Sequence, residues 1–189
     1  VDGVDIRELG TEQLMSRLSM VFQDVYLFDD SLIANIRVGR PDASDEEVFR
    51  AADLSGVTSI ANRLGWHTPV GEGGRLLSGG ERQRVSVARA LLKQAPIVLF
   101  DEATSALDAE NEANILAAMD ELREQSTFIV IAHKLDTIKS ADQIVVLDEH
   151  GQVSQLGTHS ELSDVPGIYR HFWQQRKAAS GWKISSGRD

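Results

Sequence analysis

A length of 189 residues is enough for one domain with its own core, and the net charge of −10 disfavours some partners. Nucleic acids and anionic membranes are bound through clustered lysine and arginine, so this charge argues against both. With 42% hydrophobic and 25% charged residues the composition is that of a globular protein, and the absence of cysteine excludes disulfides and thiolate metal sites. No apolar run approaches the roughly 18 residues of a membrane span, and no signal-peptide pattern is present.

The first residues predict two short strands separated by a helical turn over Glu12–Arg17. The second strand, Leu18–Phe22, is followed directly by Gln23. An amide at the end of a strand can reach a metal ion or an attacking water. The alternative is that Gln23 is an ordinary polar residue where a strand leaves the core.

Residues 26 to 77 are predicted to be largely helical. Ser31 precedes an apolar helical pattern as its N-cap, and Ser44 opens a second helix that runs through Leu54. The acidic first turn of that second helix suits the helix dipole.

The segment from Leu77 to Arg84 carries the strongest pattern in the chain. Ser78, Gly79 and Gly80 begin a helix that we predict to run to Lys93, with Ser78 and Glu81 in capping-box spacing. A helix N-terminus with glycines presents unpaired N–H groups and a positive dipole to an anion such as phosphate. A simple turn is the alternative for so short a motif. We expect Arg82 and Arg84 to lie on exposed faces and assign them no chemistry.

Two further strands end at residues that can take part in chemistry. An apolar run over Ile97–Phe100 ends at Asp101 and Glu102, and Thr127–Ala132 ends at His133. One carboxylate can orient Mg²⁺ while the other polarises a water, and a histidine at this edge can contact a terminal phosphate. When each is considered alone, an ordinary polar residue at a strand end is the simpler interpretation.

Together, in this order, these motifs resemble the nucleotide-binding domain of ATP-binding cassette (ABC) proteins. That resemblance implies an α/β fold: a partial P-loop NTPase-like ABC ATPase domain with a mainly parallel sheet and an inserted helical subdomain. It implies that Gln23 is the Q-loop glutamine and that Asp101 positions Mg²⁺ together with Gln23. It also implies that Glu102, His133 and Gln23 are catalytic. The other implied sites are the signature that binds ATP in trans (Ser78, Gly79, Gly80, Glu81) and the dimer-seam D-loop (Ser105, Ala106, Leu107, Asp108). Glu81 stands where glutamine is more usual in the family.

The resemblance also implies a phosphate-binding loop, G-x-x-x-x-G-K-[ST], which these 189 residues do not contain. We therefore expect an N-terminally truncated domain that cannot hold its own ATP. We also expect it to fold poorly alone, because the resemblance places the strand of the missing loop beside Ile97–Phe100. The expected divisions are the Q-loop end of the core (1–25), the helical subdomain (26–77), the signature-to-histidine part of the core (78–165), and a C-terminal helix with a frayed tail (166–189).

By the same resemblance, the parent protein is an ATPase that uses ATP and Mg²⁺ to drive transport from the cytoplasmic face of the cell membrane. Its implied partners are a second nucleotide-binding domain, identical or not, and a transmembrane domain on the same polypeptide. Tyr26, Leu27 and Phe28 either contact that transmembrane partner or pack in the core. Residues 28–39 resemble exporter-fold ABC proteins, and residues 70–74 and 172–175 resemble half-subunits that transport mycobactin-type siderophores.

Two other functional classes were weighed. A chromosome-structure or DNA-repair ATPase would place a coiled coil of hundreds of residues between Gln23 and Ser78, which the sequence has no room for. A non-catalytic interaction module, offering its signature face to a partner ATPase, stays open because the phosphate-binding loop is missing.

Overall fold

A computed structural model describes residues 1, 3–101, 117–124, 126–131 and 138–180 of the chain. The chain divides into two compact units, Val1–Ile131 and Ala132–Asp189. Several predicted sites lie outside the described residues: Glu102, Ser105, Ala106, Leu107, Asp108, His133 and the C-terminal tail after residue 180.

A three-stranded parallel sheet forms the first unit's centre. Its strands are β1 (Leu18–Val21), β2 (Ile97–Asp101) and β3 (Thr127–Ile131), in the order β1-β2-β3. Val21 pairs with Phe100, and Asp101 pairs with Ile131, so the carboxyl ends of all three strands lie at one edge. The predicted parallel α/β arrangement is confirmed.

The start of the chain differs from the prediction. Within the described part of residues 1–17 there is no strand; Ile6–Glu8 form a 3₁₀ turn instead, and the Asp5 carboxylate accepts a hydrogen bond from the backbone N–H of Arg7 at its start. The predicted helical turn is present as α1 (Thr11–Arg17). The resemblance also placed the strand of the phosphate-binding loop beside Ile97–Phe100. That position was predicted wrongly, because β1 and β3 already occupy both sides of β2.

Four further helices share one apolar core with this sheet. They are α2 (Leu32–Arg37), α3 (Asp45–Leu54), α4 (Val57–Leu64) and α5 (Gly79–Lys93), and residues 117–124 are also helical. The side chains of Ser31, Ser44 and Ser78 cap α2, α3 and α5 as predicted, and the last two caps are complete capping boxes. The shared core is apolar and includes Leu27, Leu32, Ile36, Val48, Val57, Ile60, Val85, Val98 and Phe100.

The second unit is a hairpin with two helices. Strands β4 (Ile144–Leu147) and β5 (Val153–Gly157) pair antiparallel, and α6 (His159–Asp164) and α7 (Ile168–Ser180) follow. Thr158 and Glu161 form a complete capping box at the start of α6. Tyr169 is buried, and its hydroxyl lies 2.8 Å from Nδ1 of His159. In the described parts of both units, no helix has the length and apolar character to cross a bilayer.

Candidate functional site

The predicted signature forms the first turn of α5, the 15-residue helix Gly79–Lys93. Ser78 is the N-cap in an extended conformation, and its Oγ accepts a hydrogen bond from the Glu81 N–H at 3.2 Å. In return, the Glu81 carboxylate accepts the Ser78 N–H at 2.8 Å. The N–H groups of Gly79 and Gly80 precede the residues that can bond within the helix, so they are available to an anion.

Space for a ligand exists beside the first glycine. A Cβ added to Gly79 would meet nothing closer than the Arg82 guanidinium, at 3.9 Å. Ser78 and Gly79 are exposed, while Gly80 and Glu81 are half-buried. The helix start is therefore fixed by the reciprocal Ser78–Glu81 bonds and open on the side where a phosphate would approach.

Glu81 is also bound by a residue that the sequence did not bring to notice. Arg63, near the end of α4, places its Nη2 2.5 Å from Oε1 of Glu81. Partial burial alone would raise the pKa of Glu81. Hydrogen bonds from the Ser78 N–H and the Arg63 guanidinium stabilise the charged carboxylate and outweigh this effect, so the pKa of Glu81 lies below its ordinary value. Glu81 is thus ionised at neutral pH and carries its own counter-ion.

A buried polar network joins the middle of α5 to the segment after Gln23. Asn35 is fully buried, and its Oδ1 accepts hydrogen bonds from Phe28 N–H at 2.9 Å and from Arg89 Nη2 at 2.8 Å. Its Nδ2 donates to the Phe28, Asp30 and Ser31 carbonyls. Arg89 also donates to the Asn35 and Tyr26 carbonyls at 2.7 and 3.0 Å. Burial lowers the pKa of Arg89 to about 10, so the guanidinium remains charged at neutral pH.

The sequence contained a signal for this network. An asparagine within the apolar run Leu32–Ile36, and an arginine among the apolar residues of α5, both need buried partners. Arg84 was predicted wrongly for the same kind of reason. It is 7% exposed, not on an open face, and its Nη1 donates to the Gly56 carbonyl at 2.9 Å and the Ser59 hydroxyl at 3.1 Å. These partners lie far away in the sequence.

Gln23 and Asp101 come to the same edge of the sheet. Asp101 is the last residue of β2, and Gln23 follows the end of its parallel neighbour β1 by two positions. Glu102 and His133 lie outside the described residues, although β2 and β3, which precede them, are paired through Asp101 and Ile131. The signature helix reaches this edge as well, because Gln83 Nε2 donates to the Phe22 carbonyl at 3.3 Å.

The three residues after this edge separate into two groups. Leu27 is fully buried in the core, whereas Tyr26 and Phe28 are 57% and 52% exposed and pack edge to face at 5.9 Å. Core packing is confirmed for Leu27, whereas contact of Tyr26 and Phe28 with a transmembrane partner stays a prediction. Leu27 packs in the core, while Tyr26 and Phe28 leave aromatic surface open for a partner.

These residues fit a magnesium nucleotide. The helix start offers N–H donors without side-chain obstruction, and Asp101 with Gln23 offers a carboxylate and an amide oxygen, the hard ligands that Mg²⁺ accepts. Among the described residues, no three His, Cys, Asp or Glu side chains are grouped to hold a metal. A site with one or two protein ligands leaves the remaining positions to water and phosphate oxygens, as is usual for Mg²⁺.

Comparison with known proteins decides the family. Residues 1–105 match the family model described as ABC transporter. The chain belongs to this family. It is 47% identical over 171 residues to the ATP-dependent lipid A-core flippase of Neisseria meningitidis serogroup A / serotype 4A, covering 89% of this chain and 27% of that protein. It is 46% identical over 188 residues to the mycobactin import ATP-binding/permease protein IrtB of Mycolicibacterium thermoresistibile, covering 98% of this chain and 32% of IrtB.

A solved structure agrees with both relatives. The chain superposes on a bacterial Atm1-family ABC exporter with ATP bound, with a TM-score of 0.86 and 42% identity over 98% of this chain and 32% of that one. The ABC ATPase fold predicted from the motifs is confirmed, and the family is one that binds nucleotide. The chain spans between a quarter and a third of the length of these proteins.

Proposed function

We propose that this chain is part of the ATP-binding and ATP-hydrolysing domain of an exporter-type ABC transporter. One observation carries the proposal: the Ser78-capped helix start is open to an anion, and α5 also contacts the strand edge that holds Gln23 and Asp101. The similarity to a lipid A-core flippase, to IrtB and to an Atm1-family exporter supports the same class of protein.

In this proposal, each residue has a defined task. Ser78, Gly79 and Gly80 donate hydrogen bonds to the phosphates of a nucleotide held by a partner domain, with Glu81 fixing the helix start. Asp101 and Gln23 would hold Mg²⁺, which would neutralise phosphate charge. Glu102 accepts a proton from the attacking water, and His133 donates a hydrogen bond to the terminal phosphate. Positioning and charge stabilisation account for most of the catalysis in such a reaction.

The proposed partners follow from the proposed chemistry. A second nucleotide-binding domain faces the signature, and Ser105, Ala106, Leu107 and Asp108 line the seam between the two. A transmembrane domain receives the exposed Tyr26–Phe28 pair, which places the chain at the cytoplasmic face of the membrane. The division into 1–25, 26–77, 78–165 and 166–189 is retained as a proposal, with 26–77 as the part that contacts the membrane domain.

We further propose an iron-siderophore of the mycobactin type as cargo. The 46% identity to IrtB over 98% of this chain supports it, and the 47% identity to a lipid A-core flippase supports a lipid cargo instead. Stimulation of ATP hydrolysis in the purified transporter separates the two. The siderophore proposal predicts that ferric mycobactin stimulates hydrolysis and lipid A-core does not; the reverse result would favour a lipid.

Two serine variants test the ATPase proposal with a matched control. Ser78→Ala and Ser44→Ala each remove the serine of a capping box, and each should loosen its helix by about 1 kcal/mol. Ser78→Ala should in addition lower ATP hydrolysis about a hundredfold, because it removes a donor to the transferring phosphate. Equal activity in the two variants would contradict the proposal, and absence of ATP binding in the unaltered protein would favour the non-catalytic interaction module.

A further inference from the structure

A carboxylate stands in the first turn of the helix that we assign to phosphate binding, which raises an electrostatic problem. Glu81 is the third residue of α5, and its Oε2 bonds to the Ser78 N–H at 2.8 Å. A negative charge at a helix N-terminus is favourable by itself, but it competes with an anionic ligand for the same positive end of the dipole. The lowered pKa of Glu81 means that protonation does not remove this charge at neutral pH.

Arg63 supplies the opposite charge from a different helix. Its Nη2 lies 2.5 Å from Oε1, the Glu81 oxygen that Ser78 does not use. The Glu81 side chain is 16% exposed and that of Arg63 is 52% exposed, so the carboxylate is covered while the guanidinium borders solvent. The neighbouring Arg82 is engaged elsewhere, because its Nη1 donates to the Leu77 carbonyl at 2.8 Å.

We propose that Arg63 is a positioning residue of the signature: it neutralises Glu81 and fixes its carboxylate, so that a polyphosphate can approach Ser78, Gly79 and Gly80 without repulsion. The inference rests on the proposed function, since it assigns a further residue to the same site. It links the glutamate that replaces the more usual glutamine to an arginine that compensates for it.

The pair has little to do for stability. Ion pairs in which one partner is half-exposed gain little from Coulomb attraction in water and lose side-chain entropy. Removal of the arginine should therefore leave the fold in place and expose the carboxylate to the ligand. A glutamine at position 81 can still accept the Ser78 N–H, so the capping box survives that substitution.

A double-mutant cycle on the intact protein tests this role. Arg63→Gln, Glu81→Gln and the double variant are prepared in a Glu102→Gln background that slows hydrolysis, and affinity for mant-ATP is measured by fluorescence. Arg63→Gln should weaken binding about tenfold when Glu81 is present and less than about twofold when residue 81 is glutamine. At about 0.5 M salt the tenfold loss should shrink, because salt screens the repulsion between carboxylate and phosphate.

Arg50→Gln is the matched control, since Arg50 forms an exposed ion pair with Glu46 on α3 and not with Glu81. Its mant-ATP affinity should equal that of the background. Equal losses from Arg63→Gln with either residue at position 81, or no loss at all, would overturn the inference while leaving the proposed function intact. Absence of mant-ATP binding in the background protein would overturn the proposed function, and this inference with it.

Discussion

Replacement of Asn35 by alanine should open the segment that follows Gln23. The side chain is fully buried and takes part in five hydrogen bonds, two accepted by Oδ1 and three donated by Nδ2. Alanine leaves the Phe28 N–H and one arm of the Arg89 guanidinium without this acceptor. Each buried donor left unpaired costs about 1–3 kcal/mol, so a loss of about 3 kcal/mol is expected for the pair.

Hydrogen exchange of the purified protein, followed by mass spectrometry, measures this loss locally. A change of about 3 kcal/mol corresponds to about 150-fold faster exchange in peptides that span residues 26–37, provided that these amides exchange by local opening. Peptides from α6 in the other compact unit should keep their protection. Asn62→Ala is the control, because Asn62 is exposed on α4 and the same chemical change there should have little effect.

If hydrogen exchange of residues 26–37 is less than about fivefold faster in Asn35→Ala, the reasoning is refuted. It would mean that the network does not hold the Tyr26–Phe28 segment against α5. Equal increases in Asn35→Ala and Asn62→Ala would contradict it in the same way.

Two further predictions concern the fold around the site. Gly74→Ala should destabilise the protein by about 2–4 kcal/mol, because Gly74 has φ +73° and a Cβ would lie 2.9 Å from the buried Leu27 side chain. Gly3→Ala should cost less, because Gly3 has φ +81° but open space around it. Thermal unfolding of both variants checks this order. The pKa of Glu47 should lie below its ordinary value, because the Ser44 N–H and then Arg40 favour the charged carboxylate. This stabilises α3 above the unfolded-state pKa and is lost as pH falls through the folded-state value. NMR titration should show a higher Glu47 pKa in Arg40→Gln than in the unaltered protein, and an unchanged Glu47 pKa would contradict the assignment.

Local chemistry explains the features that the sequence predicted well. The helix starts at Ser44 and Ser78 depend on residues only three apart, and both form as complete capping boxes. The strands Leu18–Val21, Ile97–Asp101 and Thr127–Ile131 were also visible as apolar runs between polar residues. Each of these signals is complete within a few consecutive residues.

Features that depend on distant partners were missed. The side chains of Arg63, Arg84 and Arg89 donate hydrogen bonds to groups between 18 and 63 positions away in the sequence. The residues next to each arginine do not indicate which group accepts its hydrogen bond. The predicted first strand failed for a related reason. A strand needs a neighbour to pair with, whereas the Asp5–Arg7 contact at the start of the 3₁₀ turn is local.

The most direct test of the central claim is to measure ATP hydrolysis by the full-length protein purified from cell membranes. The unaltered protein is compared with the Glu102→Gln variant. The account predicts Mg²⁺-dependent hydrolysis in the unaltered protein and a loss of about a hundredfold or more in the variant, because glutamine cannot accept the proton of the attacking water. Equal hydrolysis by the two proteins, or none by either, would contradict the claim that this chain drives transport with ATP.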